Sequence, residues 1–136
     1  MIPLPTRYPH ILPVDVPVLV RWLTRHQDEF LELDFDVRVG DGRPAPPGST
    51  REIQKMALDL SKRRIDVVAY FKTHIAVVEI TRFAGLKAIG QLMAYPTLYR
   101  QAFSPGLEVR PLLVCELLDT DIKPVLQDNH LDFELV

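Results

Sequence analysis

Two short apolar stretches, each interrupted by one acid, constrain this chain more than any other feature. They are residues 64–71 (RIDVVAYF) and 74–81 (HIAVVEIT), joined by a turn over Lys72 and Thr73. β-Branched and aromatic residues fill both, which marks them as the strands of a hairpin. Asp66 and Glu79 sit inside them. A carboxylate within a strand is costly unless it is paired, bound to a cation or wet. With a two-residue loop at 72–73, or a four-residue loop at 71–74, Asp66 falls directly opposite Glu79. Direct neighbours on one face of an antiparallel pair have Cβ atoms about 4.5–5.5 Å apart. Carboxylates that close repel unless a cation lies between them, one holds a proton or both reach water.

A helix follows at about 84–103. Lys87, Gln91 and Tyr95 stand at i, i+4 and i+8, so they share one stripe, while Leu86, Ile89, Leu92 and Met93 form the apolar side. Pro96 is expected to kink or interrupt this helix near Leu92. Upstream, Asp15 is positioned to cap a helix at about 16–29 that carries Val18, Leu19, Trp22 and Leu23 at helical spacing. Leu33, Phe35, Val37 and Val39 alternate with polar residues, as a half-buried strand does. Residues 40–49 (GDGRPAPPGS) are a loop, after which Ser49 or Thr50 caps a helix at about 50–61 with Glu52 in its first turn. Lys55, Lys62, Arg63 and Arg64 lie on or beyond the C-terminal half of that helix. A buried strand at 109–118, a short helix at 121–129 and an edge strand at 130–136 complete the order. This succession predicts an α/β fold, a mixed sheet flanked by helices.

The length of 136 residues suits one domain, and the 47% hydrophobic and 25% charged content is that of an ordinary globular protein. Residues 1–14 carry four of the prolines and read as an extended arm ahead of a single domain at 15–136. The net charge of −2 gives no strong general attraction to nucleic acid, although a local basic patch remains open. The one cysteine, Cys115, excludes an internal disulfide and reads as a buried, inert thiol. His10, His26, His74 and His130 show no metal-ligand spacing and read as surface or turn residues. No stretch approaches the roughly 18–20 apolar residues of a membrane span, and the N-terminus lacks the basic-then-apolar pattern of a secretory signal. The expected setting is the cytoplasm, or a virus multiplying there.

Asp66, Glu79-Ile-Thr81, Gln91 and Tyr95 together resemble the PD-(D/E)xK nuclease superfamily, and the Gln91-x-x-x-Tyr95 element is most similar to its RecB-type branch. The resemblance spans about residues 33–117 and implies a restriction-endonuclease-like sheet. It also implies that Asp66 and Glu79 hold Mg²⁺, with Glu52 as an additional acid. Gln91 and Tyr95 would support the site and contact DNA, beside Arg63 and Arg64. Hard oxygen ligands suit Mg²⁺, which takes one or two carboxylates plus waters and phosphate oxygens. At the position of the motif lysine stands Thr81, which carries no charge; Lys87, in the first turn of the following helix, is the lysine able to take its place.

The phrasing VVEITRFAGLKAIGQLMAY also resembles short proteins of tailed-phage genomes. Two readings follow. In the leading one the fold is a degenerate nuclease serving as a virion assembly component of head-completion, neck or head-to-tail connector type. It would form a homo-oligomer or ring with other virion proteins through the N-terminal arm and need no cofactor. In the alternative the chain is an active Mg²⁺-dependent DNA nuclease using Asp66, Glu79 and Lys87.

Overall fold

The computed structural model describes all 136 residues. Its elements are α1 (Val16–His26), β1 (Glu32–Val39), α2 (Arg51–Ser61), β2 (Arg63–Tyr70), β3 (His74–Ala84), α3 (Leu86–Phe103), β4 (Glu108–Leu118), α4 (Ile122–Asp128) and β5 (Asp132–Leu135). The strands form one mixed sheet in the order β1-β2-β3-β4-β5. The first three are antiparallel neighbours, whereas β4 and β5 join in parallel. The two parallel joins follow the helical crossovers α3 and α4, since a parallel neighbour cannot be reached by a tight turn. β5 is an edge strand, as its place at the end of the chain suggested.

Alternation along β2 and β3 sends side chains to two cores. Val67, Ala69, Ala76, Val78 and Ile80 pack under α1, against Val18, Leu19, Trp22 and Leu23. Val68, Ile75 and Val77 pack on the other face with Tyr99 of α3. Further along α3, Ala88 and Leu92 meet Leu113 and Cys115 of β4 and Ile122 and Leu126 of α4. Cys115 is fully buried there, and that burial pushes its thiol up to about 11. The arm joins the first core: Tyr8 and Ile11 are buried, and Gln27 Nε2 donates to the Ile2 carbonyl at 2.9 Å. Its anchoring side chains are thus committed to the chain itself.

Three local expectations change. Asp15 stands at the N-cap of α1 but makes no capping bond; its Oδ1 instead accepts the Arg82 N–H at 2.7 Å. β3 runs past Thr81 to Ala84 because Phe83 and Ala84 find parallel partners in Leu117 and Leu118. α3 continues through the buried Pro96 to Phe103, where packing on the sheet outweighs the one hydrogen bond a proline removes. Thr50, by contrast, caps α2 as read, its Oγ1 accepting from Ile53 N–H at 3.2 Å.

Candidate active site

The hairpin register puts Val67 opposite Val78, Val68 opposite Val77, Ala69 opposite Ala76 and Tyr70 opposite Ile75. The next rung would be Asp66 against Glu79, and there the backbone ladder stops. The Ile80 N–H is accepted by Asp66 Oδ2 at 2.9 Å, a side chain standing in for a strand carbonyl. On the other side of β2 the ladder skips the same residue. Phe35 pairs with Val67 and Val37 with Ile65, while Asp36 between them adopts a left-handed backbone with φ 55°. Few non-glycine residues take that conformation. Asp36 is gripped there by a two-pronged Arg64 contact at 2.6 and 2.7 Å, which holds its carboxyl below the usual carboxylate range. The Asp66 carbonyl, left out of both ladders, accepts His10 Nε2–H from the arm at 3.1 Å. β2 therefore departs from its neighbours at Asp66.

A cleft of about 260 Å³ opens at this point, lined by Asp66, Glu79, Thr81, Lys87 and Gln91 among others. Glu79 is 4% exposed, and its Oε1 is buried without a hydrogen-bond partner. Burial first, and then the negative charge of Asp66, push its carboxyl up to about 10. Asp66 is also raised by burial, partly offset by the Ile80 N–H it accepts. Burial and the neighbouring Asp66 charge thus act together against the ionised form of Glu79. Lys87 forms no ion pair with either acid, yet its charge favours the ionised form of Glu79 across the cleft. Tyr95 follows Gln91 one turn along α3; burial raises its hydroxyl, and its charge environment includes Glu79, Asp66 and Arg63.

The fold thus brings Asp66, Glu79, Lys87 and Gln91 to one cleft, with Tyr95 and Arg63 beside it. Thr81 also lines it, its Oγ1 donating to the Phe83 carbonyl at 3.2 Å. Arg64 is occupied by Asp36. Glu52 is elsewhere: it lines a separate groove with Arg38, Lys55, Met56, Asp59 and Leu60, because α2 lies away from the split between β2 and β3. Two cleft residues escaped the sequence reading. By sequence His10 is a surface residue and Asp15 a helix cap, yet both line the cleft. Neither has a sequence signal of its own, since only the path of the arm across the sheet brings them there.

No protein-family model matches the chain, and no curated protein matches it in sequence. Two solved structures do match in fold. One is a repair endonuclease from Pyrococcus abyssi, at 20% identity and TM-score 0.51, over 93% of this chain and 47% of that one. The other is an EndoMS–dsDNA complex, at 19% identity and TM-score 0.52, over 93% of this chain and 46% of that one. The chain spans about half the length of each. The fold is therefore the restriction-endonuclease-like one, a mixed sheet flanked by helices. Neither match is described as a virion protein, so the leading expectation of a head or neck component gains no support from them. No helix is long and apolar enough to cross a membrane.

Proposed function

We propose that the chain is a divalent-cation-dependent nuclease domain acting on DNA phosphodiester bonds. The observation that carries this reading is the opposed pair of half-buried Asp66 and buried Glu79, with Glu79 Oε1 left without a partner in a cleft open to substrate. A buried acceptor without a donor costs free energy, and a cation held jointly by the two carboxylates removes that cost and the repulsion together. The donor set fits Mg²⁺, which accepts one or two carboxylates and completes its shell with water and phosphate oxygens. When bound there, the ion supplies charge that polarises a phosphoryl oxygen and lowers the pKa of a water.

The chain's own residues divide the remaining work. Asp66 and Glu79 hold the cation, and the Ile80 N–H fixes the Asp66 carboxylate. Lys87 supplies the positive charge that Thr81 does not, entering from α3 rather than from β3. Gln91 orders the helix side of the cleft, with Tyr95 behind it. His10 and Asp15 close the arm side, each tied to the backbone at the break in the sheet.

The test is cleavage of single- and double-stranded DNA with Mg²⁺ or Mn²⁺. Cleavage should be stopped by EDTA and lost in Asp66→Ala and Glu79→Ala. Removal of a metal-holding carboxylate should cost at least ~10²-fold in rate. A folded protein at high concentration that cuts neither substrate with either metal overturns the proposal.

A further inference from the structure

α2 is built inside out. Gln54, Ala57, Leu58 and Ser61, one side of the helix, face the body of the protein, and the attachment on that side is mainly polar. Gln54 reaches the Ala45 N–H at 2.9 Å and donates to the Ala45 and Pro46 carbonyls. Ser61 bonds the backbone of Arg43. Gly42 sits so close that a Cβ there would lie 2.2 Å from the Leu58 carbonyl oxygen, so the loop seats on the helix only with glycine at that point. The apolar stripe points the other way. Ile53, Met56 and Leu60 are 51%, 60% and 68% exposed, and no residue of α2 is buried. An amphipathic helix normally buries that stripe against its own core. Here the loop contacts hold it outward.

We infer that this face pairs with a second copy of the chain, as an antiparallel α2–α2 contact across a twofold axis near Met56. The stripe is self-complementary in that arrangement. Ile53 meets the other copy's Leu60, and Met56 lies beside the axis. The flank is complementary as well. Glu52 and Arg38 line the same groove beside the stripe. Arg38 is at the C-terminal end of the helix, donating to the Asp59 carbonyl at 3.4 Å, and Glu52 is at the N-terminal end. Reversal by the twofold axis brings each Glu52 alongside the other copy's Arg38. The groove, of about 390 Å³, gives Met56 of the other copy a place to enter. A helix of 11 residues is about 16 Å long and offers only a small area. The contact is therefore below the ~1,200 Å² of a stable interface, and the dimer is weak.

The inference does not depend on the chain being a nuclease, and its test uses mass rather than cleavage. Sedimentation equilibrium should show an average mass that rises from 15.6 kDa towards twice that value as concentration increases from micromolar to about millimolar. Met56→Glu, at an exposed position, should keep the fold by circular dichroism and remain at 15.6 kDa throughout. Met56→Cys should give a covalent dimer on oxidation, because Cys115 is buried and the new thiols lie near the axis. Arg51→Cys, far from the axis, should not. A wild-type chain of constant monomer mass overturns the inference. So does a dimer that Met56→Glu leaves intact, or equal crosslinking at Met56 and Arg51. A monomer that co-floats with lipid vesicles through this face would overturn self-pairing and assign the stripe to a membrane surface.

Discussion

Glu79→Gln should make this protein more stable while removing its proposed activity. The ordinary value of the Glu79 carboxyl is 4.5, and in the fold it is pushed up to about 10. At pH 7 the folded state holds a proton that the unfolded state has released. Each pH unit above 4.5 adds about 1.36 kcal/mol to the cost of folding. The 2.5 units between 4.5 and pH 7 set an upper limit of about 3 kcal/mol. Asp66 is raised as well and takes part of that load, so the gain from one substitution is roughly 1.5–3 kcal/mol. The sign is fixed by the direction of the shift. Below pH 4.5 both states are protonated and the cost vanishes, and it grows as the pH rises towards 10. Glutamine keeps the shape, carries no charge and can donate to Asp66. Thermal melts should show the variant several degrees higher at pH 7, roughly 5–12 °C, with the gap closing at pH 5. Mg²⁺ should raise the melting temperature of the wild type and leave the variant unmoved. A variant no more stable than wild type at pH 7, or one whose gain is the same at pH 5 and pH 8, would refute the reasoning.

Lys87→Ala should lower cleavage by at least ~10-fold, with Thr81→Lys restoring part of the loss; gel assays at fixed Mg²⁺ read both. Burial disfavours the charged form of His26, but the carboxylates of Glu134 at 2.9 Å and Glu29 at 2.5 Å together outweigh it and raise its pKa. That stabilisation is complete below the unfolded value of 6.5 and is lost as pH rises through the higher folded value. Urea titrations of His26→Gln should therefore show a loss of about 1 kcal/mol at pH 6 that shrinks by pH 9. Asp15→Ala frees the Arg82 N–H at the mouth of the cleft and should cost about 1–3 kcal/mol in the same titration. Leu19→Ala, at a fully buried position beneath the sheet, should cost about 2–5 kcal/mol without changing metal dependence.

Much of the architecture is legible locally. The hairpin register, the stripe Lys87–Gln91–Tyr95 and the Thr50 cap depend on residues close in the chain, where periods of 2 and 3.6 carry the information. The apolar stripe of α2, with Ile53, Met56 and Leu60, is legible too, but whether it turns inward or outward is not. Loop contacts from Gln54, Ser61 and Gly42 decide that it points outward, and nothing in the helix's own period distinguishes the two.

By itself, the sequence determined that two acids would stand opposed in adjacent strands, with a helix carrying Lys87 and Gln91 to follow. It also set the absence of a lysine at position 81. Only the tertiary structure decided that the ladder breaks at Asp66, that Glu79 is left with an unpartnered oxygen, that Glu52 lies elsewhere and that His10 and Asp15 close the cleft. The physical reason is sequence distance. Spacing fixes what neighbours along the chain can do, whereas desolvation and the fate of an unpaired carbonyl depend on which remote segment covers them.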